Sequence, residues 1–88
     1  MNLVLSTKGK KFNSRMLADQ IFNQISTEAD LIIDFNAVEE VTPSFCHEMF
    51  VVLLDKNVKL KIVNANNSIK LQLNKALASI ERRPAITH

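Results

Sequence analysis

The stretch Leu31-Ile32-Ile33-Asp34-Phe35, continued by Asn36-Ala37-Val38-Glu39-Glu40-Val41 and then by Thr42-Pro43-Ser44-Phe45-Cys46-His47-Glu48-Met49-Phe50, decides the fold. Its first five residues form a compact apolar run of strand length with two β-branched residues, which reads as a central strand. Thr42-Pro43 is a helix start. The threonine hydroxyl can accept an N–H of the first turn, and proline at the first helical position gives up only an N–H that has no partner within the helix. The helix it opens is predicted to run to about Leu54.

Upstream, Leu3 to Leu5 is a short β-prone start, and Ser6 to Lys11 holds the only glycine and reads as a turn, after which Lys11 and Phe12 resume a strand. From Ser14 to Ile25 the apolar residues Leu17, Ala18, Ile21, Phe22 and Ile25 fall on one helical face, with Asn13 or Ser14 as cap. Downstream, Val58 to Val63 alternates apolar residues with lysine, giving a half-buried strand less enclosed than Leu31 to Phe35. Asn66 or Asn67 caps a third helix along which Ile69, Leu73, Ala76, Leu77 and Ile80 form one stripe, with Pro84 beyond its end. Such alternation of strands and helices needs a largely parallel sheet with helical crossovers.

The chain's 88 residues leave room for one core, so residues 1–88 are expected to form a single domain with a frayed tail at 83–88. A 47% apolar and 23% charged composition excludes disorder and low-complexity sequence. No apolar run approaches the roughly 18 residues of a membrane span, and the N-terminal charges follow the apolar residues, the reverse of a signal peptide. The expectation is a cytoplasmic protein that binds no membrane. A single cysteine, Cys46, excludes an internal disulfide, and with two histidines it cannot build a structural zinc site.

Charge is unevenly ordered. Residues 1 to 15 carry Lys8, Lys10, Lys11 and Arg15, and residues 56 to 88 carry seven basic groups against Glu81 alone. Between them, Met16 to Asp55 holds Asp19, Glu28, Asp30, Asp34, Glu39, Glu40, Glu48 and Asp55 and no lysine or arginine. The net +2 thus conceals a polarised chain.

On the second helix, 100° per residue places Phe45, Met49, Val52 and Leu53 on one face and Ser44, His47 and Glu48 on the other. A hydrolytic triad of those three would need a separate group to orient the histidine and an oxyanion hole, and a chain with one glycine offers no such turn. His47 and Glu48 lack a third metal ligand at matching spacing. Cys46 and His47 diverge as helix neighbours, so Cys46 reads as a buried structural residue. No metal, cofactor or catalytic residue is expected. One glycine also excludes Walker and dinucleotide fingerprints. The alternative class is a basic nucleic-acid-associated module using Lys8, Lys10, Lys11 and Arg15, with Arg82 and Arg83. Against it stands the lack of any aromatic platform beyond Phe12.

The succession of Phe12-Asn13-Ser14-Arg15 opening an amphipathic helix, then Leu31 to Val41, then Ser44 to Phe50, resembles a bacterial STAS-like family of unknown function, distantly similar to the anti-sigma factor antagonists. The likeness runs from about Phe12 to Leu77. In that family the helix opens Ser-Phe-Ala-Asp-Glu, then an apolar residue and Phe; Ser44, Phe45, Glu48 and Phe50 match, while Cys46 stands at the Ala and His47 at the Asp. The resemblance implies an α/β, STAS-like fold, and we expect a mainly parallel four-stranded sheet, one edge open to antiparallel pairing, with about three helices. The antagonist pattern Asp-Ser-Ser/Thr-Gly implies phosphorylation at Ser44, although Thr42 replaces the Asp and Phe45 the Gly. The likeness also implies a partner, an ATPase of the histidine-kinase type.

The expected function is therefore a small, non-catalytic regulatory domain that binds a protein partner through the N-terminal end of the second helix. The residues expected to make contact are Glu39, Glu40, Thr42, Ser44, His47 and Glu48, an exposed polar cluster behind an acidic approach that suits a basic surface. Leu71 and Ala78, seven apart and off the main stripe of the third helix, leave a homodimer open.

Overall fold

The computed structural model describes residues 1–80; the tail expected to fray, 83–88, and the basic pair Arg82 and Arg83 lie outside the described residues. Five strands, β1 (Asn2–Val4), β2 (Lys11–Phe12), β3 (Asp30–Asp34), β4 (Glu40–Val41) and β5 (Lys59–Val63), alternate with three helices, α1 (Arg15–Phe22), α2 (Pro43–Asp55) and α3 (Asn67–Ala78). The α/β character, the three helices and the parallel pairing agree with the sequence reading. The four-stranded sheet does not form among the described residues. Instead β1, β3 and β5 make a three-stranded parallel sheet with β3 at its centre, and β2 and β4 make a separate two-stranded parallel ladder.

The reason lies in the turn after β1. Leu5 to Thr7 form a single 3-10 turn, and Leu5 is fully buried, so the chain leaves the sheet at Val4 and crosses its end instead of returning as a hairpin. The turn is closed by the Thr7 hydroxyl donating to the Val4 carbonyl at 2.7 Å. Gly9 then adopts φ +146°, a left-handed conformation that favours glycine, and delivers Phe12 to the core. Consequently β2 meets β4, with Lys11 beside Glu40 and Phe12 beside Val41, and no antiparallel edge arises among the described residues.

Each helix starts on a side-chain cap. Ser14 Oγ accepts the Leu17 N–H at 3.1 Å, Thr42 Oγ1 the Phe45 N–H at 3.4 Å, and Asn66 Oδ1 the Ile69 N–H at 2.8 Å. α2 packs against both α1 and α3. One core joins the helices to the inner side of the sheet, where Leu31 and Ile33 of β3 are buried and Leu3, Leu60 and Ile62 of the edge strands are half-buried. All five phenylalanines are buried, and Phe45 lies between Phe12 and Phe22, with ring centroids 5.1 and 5.9 Å away. Among the described residues no helix is long and apolar enough to cross a membrane. Leu71 is 53% exposed and Ala78 is exposed, as the helical phase of α3 requires.

Candidate functional site

The short β2–β4 ladder sets the entrance to α2. Lys10 carbonyl accepts the N–H groups of Glu39 and Glu40, at 2.8 and 3.2 Å, and Phe12 carbonyl accepts the Thr42 N–H at 3.0 Å. The backbone of the acidic approach is thereby fixed up to the helix cap. Pro43 then occupies the first helical position, and the Thr42 side chain satisfies Phe45 N–H, so one of the orphan donors of the first turn is spent. Ser44 is exposed on this turn, and Glu39 and Glu40 are exposed just before it. Thr42 is half-buried, its hydroxyl turned to capping.

His47 and Glu48 stand differently from the sequence expectation. Both are half-buried, and the solvated polar face of α2 narrows to Ser44 among the three. Glu48 reaches the α1 side, where its carboxyl hydrogen-bonds Asp19. That hydrogen bond, with partial burial and the nearby charges of Asp19 and Asp55, lifts the Glu48 pKa above the usual carboxylate range, against the opposing pull of the Arg15 guanidinium. His47 Nδ1 is buried without a hydrogen-bond partner among the described residues. Residues 47 and 48 diverge by 100° around the helix, so Ser44, His47 and Glu48 share a turn without converging on a common point.

The acidic approach is also less isolated than its linear charge pattern suggests. Lys11 is the register neighbour of Glu40 across the ladder, and Arg15 acts on Glu48. The basic N-terminal segment therefore folds back on part of the acidic block. Asp19, which sequence reasoning did not connect with Glu48, belongs to the site; the contact is set by the packing of α1 against α2, for which the local sequence carries no signal.

Cys46 is fully buried beneath this turn, as expected, and loss of solvation raises its pKa to about 12, leaving it a neutral packing residue. Among the described residues no three His, Cys, Asp or Glu side chains cluster as metal ligands. A second polar feature lies at the carboxyl ends of the strands. Asp34 accepts the Asn36 N–H at 2.8 Å and the Asn64 side-chain amide at 3.0 Å, bonds that lower its pKa. This clasp ties the loops after β3 and β5 together while Ala37 and Asn64 take positive φ of 66° and 60°. Two Asx residues at the ends of neighbouring parallel strands were the sequence signal for it.

No curated protein and no solved structure matches the chain. The model of a family described as a STAS-like domain of unknown function (DUF4325) matches residues 17–70, from within α1 to the first turn of α3. That span is more than half of the chain and contains β3, β4, α2 and β5 entire, and on this match the chain belongs to the STAS-like DUF4325 family.

Proposed function

We propose that this STAS-like domain is a non-catalytic regulatory module that binds a protein partner at the N-terminal end of α2, with Ser44, Glu39 and Glu40 as the outward contacts. The observation that carries the reading is the combination of a backbone fixed through Lys10, Phe12 and Thr42 with three exposed polar side chains presented on it. Preorganised polar groups lose little freedom on binding, and their acidic bias suits a basic partner surface. Thr42 serves as the cap of this surface, and His47 and Glu48 flank it at its half-buried margins. A histidine-kinase-like ATPase is the partner class that the STAS likeness suggests. The setting proposed is the cytoplasm.

Ser44 is the proposed control point. A phosphate there would add about −1.5 to −2 charge at a helix N-terminus, where free N–H groups and the helix dipole accept an anion, so the fold should hold. The same charge, close to Glu39 and Glu40, would add repulsion and a desolvation cost to a contact made for a basic surface or for a neutral hydroxyl. The test is a pull-down with a histidine-kinase-like ATPase, comparing Ser44→Glu and Ser44→Ala with the parent, with thermal melts as the folding control. Expected is retention by Ser44→Ala and loss by Ser44→Glu at unchanged melting temperature. If both variants fold and bind as the parent does, Ser44 is neither switch nor contact; if the parent does not bind, this partner class is wrong.

A further inference from the structure

The basic end of the chain is not used by the site on α2. From Lys56 to Ile80 there are five lysines, Lys56, Lys59, Lys61, Lys70 and Lys75, and no acidic residue. These residues build β5 and α3, and β5 is an edge strand of the three-stranded sheet among the described residues. Its backbone parity follows from the bonds to its neighbours. Lys59 donates its N–H to Ala29 at 2.9 Å, and Val63 carbonyl accepts the Phe35 N–H at 3.0 Å. A parallel ladder engages alternate residues, so the odd-numbered positions of β5 bond to β3, and the N–H and C=O groups of Leu60 and Ile62 point to the open edge.

The side chains at that edge are also unfinished. Leu60 and Ile62 are half-buried, whereas their register partners Leu31 and Ile33 are 1% and 0% exposed. Beside them runs a cavity of about 490 Å³, with Phe50 of α2 and Leu73 and Leu77 of α3 completing an apolar floor. This size is typical of sites that hold a ligand, roughly 300–1,000 Å³. Exposed Lys70 and Asn74 stand on its rim. On the opposite face of the same strand project Lys59, whose β3 neighbour is Asp30, and Lys61, whose β3 neighbour is the uncharged Ile32.

We propose that the open edge of β5 is a docking site for an extended segment of a partner protein with alternating acidic and aliphatic residues. Added as a further strand, such a segment bonds to the backbone of Leu60 and Ile62. It drops alternate aliphatic side chains into the groove and sets its acidic side chains beside Lys61 and Lys59. The period of two matches, because one face of β5 carries Leu60 and Ile62 and the other carries Lys59 and Lys61 ahead of Val63. Two copies of this chain pairing β5 with β5 would bring like charges together, which disfavours the second copy as occupant. This site is independent of the proposed contact at Ser44.

The test uses the full chain and a short acetylated peptide of alternating glutamate and valine. A peptide of the same composition with its glutamates and valines in separate blocks, and a single-stranded oligonucleotide, serve as comparisons. Amide exchange followed by NMR reads the edge directly. Expected is that the amides of Leu60 and Ile62 exchange faster than that of Lys61 in the free chain and slow by at least about tenfold with the alternating peptide. Lys61→Glu and Asn74→Trp, both at exposed positions, should each weaken peptide binding on the order of tenfold, the first by reversing a contact charge and the second by filling the groove. The proposal is overturned if the block peptide binds equally well, or if the alternating peptide binds without protecting Leu60 and Ile62. Preference of this face for the oligonucleotide would also overturn it. So would protection of the two amides already present in the free chain, whether lost on dilution, as a second copy predicts, or independent of concentration, as cover by the chain itself predicts.

Discussion

Truncating Phe45 to alanine should be among the most damaging single changes in this protein. Its ring is fully buried at the first turn of α2 and lies against Phe12 at 5.1 Å, inclined by 41°, and against Phe22 at 5.9 Å, inclined by 59°. Phe→Ala in a core costs about 3–5 kcal/mol through lost transfer energy and the cavity left behind. The two tilted ring contacts place Phe45 toward the upper end, since aromatic pairs contribute about 0.5–1.5 kcal/mol beyond burial. A chain of this length has a total stability of about 4–13 kcal/mol, so the variant loses about a quarter of it or more. Its melting temperature should fall by roughly 15–40 °C, taking about 4–8 °C per kcal/mol for a domain of this size. Circular dichroism melts and urea titrations read the effect. Phe45→Leu, which keeps more volume, should lose clearly less, and His47→Ala, one step around the helix from the core, should stay within about 1 kcal/mol. Equal losses for Phe45→Ala and His47→Ala would refute the assigned orientation of α2.

Two further outcomes follow from the charges and the thiol of the same helix. The Glu48 pKa is raised in the fold, so the folded chain holds more protons than the unfolded one between the ordinary Glu value and the raised one. The associated stability is present below that window and is lost as pH rises through it. Because Glu48 is only half-buried, solvent screening limits the effect to about 0.5 kcal/mol or less. Glu48→Gln should remove it, and melts of parent and variant with the same pH slope from pH 4 to 7 would refute the Asp19 contact. Cys46, with its pKa near 12, should resist iodoacetamide at pH 8 in the folded chain and label readily in urea, as followed by mass spectrometry; fast labelling without denaturant would contradict its burial.

The parts of the fold that local chemistry decides were legible. The β-branched run at Leu31 to Ile33 gave the central strand, and the caps at Ser14, Thr42 and Asn66 gave three helix starts. Helix ends were less so, for a physical reason. The apolar stripe of α1 continues to Ile25, which is 5% exposed, yet the helix ends at Phe22 and Ile25 is carried inward by a turn whose N–H bonds to Phe22 carbonyl at 3.1 Å. Periodicity reports which side chains face the core, not which backbone bonds carry them there. The pairing of β2 with β4 was hidden because a two-residue ladder depends on where a distant turn sends the chain. At the site, the exposure of Ser44 followed from its helical phase, whereas the contact between Glu48 and Asp19 depends on how two helices pack and leaves no local mark.

The polarised charge order acquires meaning from the topology. In the sheet the strands stand in chain order, β1, β3, β5, so blocks consecutive in sequence remain side by side in space. The acidic block, Met16 to Asp55, contains α1 beyond its first residue, Arg15, together with β3, β4 and α2, and the lysine block that follows forms the edge with β5 and α3. A fold with interleaved strand order would have mixed the two blocks. Here the described residues mix the signs where the N-terminal bases return, Lys11 beside Glu40 and Arg15 near Glu48, and at the β3–β5 seam, where Lys59 stands beside Asp30. Two surfaces of opposite sign on one small domain can be steered toward different partners, and steering of this kind falls off over about 8 Å at physiological ionic strength. Their mechanical connection is α2 itself, which carries Ser44 at its exposed start and Phe50 in the floor of the groove beside β5. Occupation of one surface affects the other only if it shifts this helix, whose core face is held by Phe45, Met49 and Leu53 at 0–1% exposure. A close-packed core resists such shifts, so the physical expectation is two contacts that add independently.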